Sequence, residues 1–275
     1  VIIPSDYMVA RMGEEGLLME LDYSKIPNAE NIDERYLHPA YDTEQKYSLP
    51  YMWGTTGIIY NTTMVDKAPT SWMDLFTTDL KGQVLIFDNP RDCIGLALKA
   101  LGYSFNTTDK DEIAEATDLL IKQKEDGIVQ AYVMDQIFDK MINNEAAMGT
   151  YYAGDYLTMV EENPDLAFVQ PEEGSNLFVD AMCIPTCSKN YEDALAFINF
   201  MCRDDIVLRN CEETGYSCPS ATALEEMDEE MAADPVAYPG ADILDKAETF
   251  GGLPEATLTF YDHEWIRICL AKVKY

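Results

Sequence analysis

The chain has 275 residues, 47% of them hydrophobic, enough to bury the core of one large or two medium domains. Nineteen Lys and Arg stand against 50 Asp and Glu, and the formal charge of −31 excludes the basic footprint that nucleic-acid binding requires. No apolar run approaches the ~20 residues of a membrane span, and no signal peptide stands at the start.

The first residues, "VIIPSD", read as a strand running into a loop, so the chain is expected to be a fragment of something longer. "YMVARMGEEGLLMEL" (7–21) reads as a short helix closed near Gly13 or Gly16, then a strand. Residues 26–46 are polar and Pro-containing, a long loop. "YSLPYMWGTTGIIYN" (47–61) reads as strand, turn at Gly54-Thr55-Thr56-Gly57, strand, a crossover between two bodies. In 70–87, Thr70 or Ser71 caps a helix with Asp74 in its first turn, and the chain passes Gly82 into the strand Val84-Leu85-Ile86-Phe87.

That strand stops at Asp88-Asn89-Pro90-Arg91-Asp92, because Pro cannot continue a ladder. Helical spacing resumes in "CIGLALKAL". Strand, acidic turn and helix place carboxylates at the carboxyl end of a strand, the edge where open α/β sheets bind ligands. The charge there excludes phosphate and suits a cation.

Residues 106–126 form an amphipathic helix capped by Thr108 or Asp109, with Ile113, Ala116, Leu119 and Leu120 as its apolar stripe. A strand at 128–134 follows, then a helix, a strand at 146–151 and a second helix. Short strands at 166–171 and 176–185 precede a helix over 189–205 with Ala194, Leu195, Ile198 and Cys202 inward. After the turn "GYSCPS" the tail from 222 is helical and acidic. Strands alternating with helices predict α/β sheets. Apolar junctions near 54–57 and 180–183, in place of Gly/Ser linkers, predict a two-lobed, hinge-bending architecture.

The acidity has two readings, solubility and a negative field that steers cations. The seven cysteines contain no CxxC pair, which argues against a zinc site, and their odd number argues against a disulfide framework. Cys211 and Cys218 flank a turn and could pair. His38 and His263 have no metal-ligand partner nearby in sequence, so neither metal nor cofactor is expected. GxSxG, HExxH, P-loop and GxGxxG motifs are all absent.

Taken together, "SLPYMWGTTGIIYN", "TSWMDLFTTDLKGQVLIFDNPRD", "LGYSFNTTDKDEI" and "ALAFINFMCRDDIVLRNCEETGYSCPS" resemble the spermidine/putrescine-binding components of ABC importers. The likeness runs almost from residue 1 to residue 265 and keeps that family's element order. It implies a periplasmic-binding-protein-like fold: lobe one from 1–56 and 181–204, lobe two from 57–180 and 205–275, closing on ligand about a hinge. The family's first lobe normally begins with a strand, a helix and another strand ahead of "VIIPSD". The first lobe is therefore expected to be incomplete at its N-terminus, with dimerisation as one compensation. The resemblance further implies an extracytoplasmic, non-enzymatic protein that hands a polyamine to ABC permease subunits.

A polyamine needs carboxylates for its ammonium groups and aromatic walls along its methylenes. By resemblance, Asn89 and Asp92 stand at two positions that hold a terminal amine, with Asp88 as a helper. Asn89 departs from the carboxylate of some members, and Asp88-Asn89 capping the next helix is the alternative. Asp180 sits in the apolar run "NLFVDAM", where a carboxylate is costly without a partner, and the family faces an aspartate there to the central amine. Ser5, Asp6 and Tyr7 fall in the loop "PSDY" that the family points at ligand. Tyr152 and Phe178 match positions commonly held by Trp, and Tyr216 matches a ligand-contacting tyrosine. Asp155 and Glu255 are weaker candidates, as solvent-facing groups or caps, and Trp53 is expected to pack at the hinge. The competing readings are a protein of the same fold for another cationic amine or a sugar, and a hydrolase, which would need two carboxyls ~5 Å apart.

Overall fold

Most of the apolar runs form strands, whereas "VIIPSD" makes only isolated bridges at Ile2 and Ser5. The computed structural model describes residues 1–274. Its strands are β1 (Ser48–Asn61), β2 (Val84–Phe87), β3 (Val129–Val133), β4 (Met148–Tyr152), β5 (Leu166–Val169) and β6 (Leu177–Cys183). They follow the order β3-β2-β4-β1-β5, and β6 pairs with β1. The chain divides into two units. The first comprises Val1–Gly54, Leu177–Pro239 and Thr249–Gly252; the second comprises Thr55–Asn176, Gly240–Glu248 and the chain from Leu253.

The second unit is built on β2, all four of whose residues are buried. β3 and β4 flank β2 in parallel, and β1 runs antiparallel to β4 and β5. The helix Pro90–Ala100 leaves β2 with Pro at its first turn and Asn89 as N-cap, whose side chain accepts from Asp92 N–H at 2.8 Å. This helix is buried from Arg91 to Lys99, as an inner helix must be. The amphipathic helix Lys110–Glu125 is capped by Asp109 and buries Ile113, Ala116 and Leu120. Each such buried Leu or Ile side chain contributes about 1.5–3 kcal/mol.

In the first unit, the helix Asp6–Glu14 packs on β6. The helix Tyr191–Met201 buries Ala194, Leu195 and Ile198, with Cys202 just beyond also buried. Asp42 is buried and fixes the start of β1. Its carboxylate accepts from the N–H groups of Lys46, Tyr47 and Ser48 at 2.9, 2.8 and 3.0 Å, and from the Ser48 hydroxyl at 2.9 Å.

The structure departs from sequence expectation at several points. No turn forms at Gly54–Gly57, because β1 is one continuous strand of 14 residues. The glycines are there for close approach. A Cβ on Gly57 would lie 2.4 Å from Phe168 Cζ and 2.5 Å from the Val169 carbonyl oxygen. Residues 17–21 form no strand. Leu18 makes one isolated bridge, to Pro185, which has no N–H with which to extend a ladder. The loop at 26–46 holds 3₁₀ turns at Pro27–Asn31 and Glu34–Tyr36. The helix expected from 70 is only Asp74–Thr77, and Asp74 reaches back to accept from Thr70 N–H at 2.8 Å.

The unit boundaries fall after Gly54 and before Leu177, and residues 205–239 belong to the first unit. The Trp53 and Ser217 backbones exchange hydrogen bonds at 3.1 and 3.0 Å, and Asp33 N–H donates to Pro219 O at 2.9 Å. These long-range bonds tie residues 217–219 to other parts of the first unit.

Candidate functional site

Each unit carries one carboxylate set among aromatic rings. In the second unit, the parallel pairing of β2 and β4 brings their carboxyl ends side by side, so the turn after β2 meets Tyr152 at the end of β4. Asp92 lies in the first turn of its helix and is only 8% exposed. The Tyr152 hydroxyl stands 3.5 Å from Asp92 Oδ2, the outer limit of a hydrogen bond. The Tyr152 ring leans on Phe87 at 5.3 Å between centroids. Burial pushes the Asp92 carboxyl up to about 6, and donors on Asn89, Tyr152 and Asn176 with the charge of Arg91 partly oppose that shift.

Asn176 escaped the sequence reading. It is 2% exposed, it lies close enough to Asp92 to help hold that carboxyl down, and its Oδ1 is buried with no hydrogen-bond partner among the described residues. A leftover buried acceptor beside a carboxylate is costly on its own. Together the two supply what a group with several N–H donors and a positive charge needs. No local pattern in "GSNLFV" distinguishes this amide from a surface one.

Asn89 spends its side-chain oxygen on the helix cap, and its nitrogen points at the Met134 sulfur at 3.8 Å. Asp88 is exposed. Asp155 is half-buried in the first turn of Ala153–Glu162. Glu255 is exposed at the first residue of Glu255–Leu270.

In the first unit, β6 presents Phe178 and Asp180 on one face, because side chains two apart in a strand point the same way. Asp180 is half-buried, and the Ser5 hydroxyl donates to its Oδ1 at 2.9 Å. Ser5 and Asp180 are also joined by an antiparallel backbone bridge. Burial holds the Asp180 carboxyl above its ordinary range, and the Ser5 bond offsets part of that rise. Burial raises the half-buried phenol of Tyr51, and the charges of Cys211 and Asp180 add to that rise.

Phe178 meets Tyr216 edge to face at 5.8 Å, and both rings press on Gly54. A Cβ there would lie 2.7 Å from Phe178 Cζ. Tyr7 stands edge-on to Phe250 at 6.2 Å. Asp6 is fully buried, and its Oδ1 accepts from Tyr7 N–H at 2.6 Å. Trp53 is 2% exposed, tilted against Tyr36 at 5.3 Å and bonded through Nε1 to Cys218 O at 2.9 Å. Among the described residues, no group of three or more His, Cys, Asp or Glu side chains is placed to hold a metal.

The profile of the bacterial extracellular solute-binding protein family matches residues 1–239. The spermidine/putrescine-binding periplasmic protein of Salmonella typhimurium is 33% identical over 96% of this chain and 75% of its own length. The corresponding protein of Escherichia coli is 35% identical over 90% of this chain and 71% of its own. Among solved structures, the spermidine/putrescine ABC transporter substrate-binding protein PotD of Streptococcus pneumoniae superposes with a TM-score of 0.87. It is 39% identical over 98% of this chain and 83% of that one.

Proposed function

This chain belongs to the bacterial extracellular solute-binding protein family, and from that premise we propose that it captures a polyamine, spermidine or putrescine, outside the cytoplasm for an ABC importer. It is a binding protein and not an enzyme. The observation that carries the ligand class is the pairing of Asp92 with the leftover acceptor of Asn176, beside the Tyr152 ring. A carboxylate pushed up by burial gains most from a cation, and an ammonium group also satisfies the lone amide oxygen. The second set, Asp180 with Phe178 and Tyr216, offers a second ammonium the same combination of anion and rings. A cation over such rings gains about 0.5–2 kcal/mol.

Isothermal titration tests this reading. Putrescine and spermidine should bind, with affinity falling as salt rises, whereas maltose should give no heat. Asp92→Asn and Asp180→Asn should each weaken binding by about 2–5 kcal/mol, because an ammonium loses its ion partner in a desolvated place. Well-folded variants that bind spermidine within threefold of the parent chain would overturn the assignment.

Delivery to permease subunits and pairing of two copies complete the proposal. Phe197 and Phe200 of the helix Tyr191–Met201, 45% and 43% exposed, supply apolar surface for the pairing. Light scattering that finds only monomer at high concentration would remove that part.

A further inference from the structure

All seven cysteines are free thiols, and two of them are neighbours. Cys211 lies on the helix Asp204–Thr214, and Cys218 follows the left-handed cap at Gly215, where φ is 72°. Each is 3% exposed, and they share a small apolar cluster with Val207, Ala223 and Met227. The Cys218 thiol donates to Ser220 O at 3.3 Å, and each thiol shifts the titration of the other. The Cys218 backbone is fixed on both sides: its N–H donates to the Tyr238 hydroxyl at 3.1 Å, and its carbonyl accepts from Trp53 Nε1 at 2.9 Å. Ser220 N–H donates to Cys218 Sγ at 3.2 Å. Between the two cysteines lie Tyr216, edge-on to Phe178, and Ser217, paired with the Trp53 backbone.

We propose that Cys211 and Cys218 form a reversible disulfide that closes the 211–218 loop and fixes Tyr216 against Phe178. A protein of the extracytoplasmic space meets the oxidants that make such a bond stable. The co-reactant is a small or protein disulfide. The Cys218 thiolate attacks one of its sulfurs, forming a mixed disulfide and releasing one thiolate, which takes up the proton that Cys218 lost. The Cys211 thiolate then attacks Cys218 Sγ, forming the internal bond and releasing the second thiolate, which takes up the Cys211 proton. The two cysteines are oxidised and one external disulfide is reduced to two thiols.

The order of attack follows from the environment. The neighbouring Cys211 thiol and the Ser220 N–H hold the Cys218 thiol below its usual range, whereas the Cys218 thiol and burial push Cys211 up. The exposed cysteines, Cys187 and Cys269, serve as internal controls that should form only mixed disulfides.

The test equilibrates the full chain in mixtures of reduced and oxidised glutathione, both folded and during refolding from urea, so that access to the buried thiols is not limiting. Acid quench, alkylation and peptide mapping should show a 211–218 cross-link that dithiothreitol reverses. The melting temperature should rise by roughly 5 °C, as expected for closing a short loop in a chain of this size. C211S and C218S should each abolish the cross-link and the rise, and C187S should abolish neither. The oxidised form should bind spermidine severalfold more tightly than the reduced form. Recovery of Cys211 and Cys218 as free thiols or separate glutathione adducts after oxidative refolding would overturn the bond. Equal affinity of the two forms would overturn its role at Tyr216.

Discussion

At the scale of single residues, the carboxyl of Asp92 makes a pH prediction. Burial raises it from 3.8 to about 6. An acid raised on folding holds its proton more tightly in the native state, so its contribution favours the fold fully below 3.8 and is lost as pH rises through about 6. In the unliganded chain that loss amounts to up to about 3 kcal/mol between pH 4 and 8. Asp180 is shifted in the same direction. Urea denaturation across this window should show that Asp92→Asn removes the Asp92 part of the slope. Polyamine affinity should move the opposite way and weaken as pH falls below 6, because a proton then competes with the ammonium. An Asp92→Asn variant with the parent's pH slope would show that the native carboxyl titrates normally. The acidic turn was legible in the sequence because Pro90 had to end the strand there, whereas Asp92 as an amine partner was what the family resemblance implied. The partner Asn176 was not legible, since only folding reveals that its amide oxygen is buried and unmatched.

At the scale of elements, β1 carries the clearest lesson. Gly54 and Gly57 bracket two threonines, and such spacing reads locally as a turn. The strand runs straight through, and each glycine instead makes room for a ring from a distant part of the chain. Gly54→Ala should therefore displace Phe178, which is 7% exposed and has little room to move. We expect a stability cost of about 1–3 kcal/mol and at least tenfold weaker spermidine binding. Gly57→Ala should destabilise the chain as well, but through the β1–β5 pairing, since its Cβ would meet the Val169 carbonyl at 2.5 Å. Thermal melts and titrations of the two variants check this. An unchanged affinity in Gly54→Ala would mean that the Phe178–Tyr216 pair does not contact ligand.

At the scale of the whole molecule, the net charge of −31 sets the response to ions and ligand. Self-repulsion of so many carboxylates opposes the compact state. Added salt should therefore raise the melting temperature of the unliganded chain while it weakens polyamine binding. Spermidine at 100 times its Kd should stabilise by about 2.7 kcal/mol through mass action. Calorimetric scans with spermidine, lysine and maltose separate this specific effect from charge screening. Equal shifts with spermidine and with lysine at matched ionic strength would reduce it to screening.

The sequence by itself determined the type of most elements, the start of the helices after residues 89 and 109, the acidic turn after β2 and the costly carboxylate at Asp180. Each of these depends on periodicity, capping or burial cost within a few neighbouring residues. Tertiary structure alone decided that Ser5 bonds Asp180 across 175 positions of chain, that residues 205–239 join the first unit, and that Cys211 and Cys218 share one buried cluster. It also decided that Gly54 serves a ring and not a turn. Close approach and shared burial are set by atoms remote in sequence, and no local pattern encodes which remote atoms those will be.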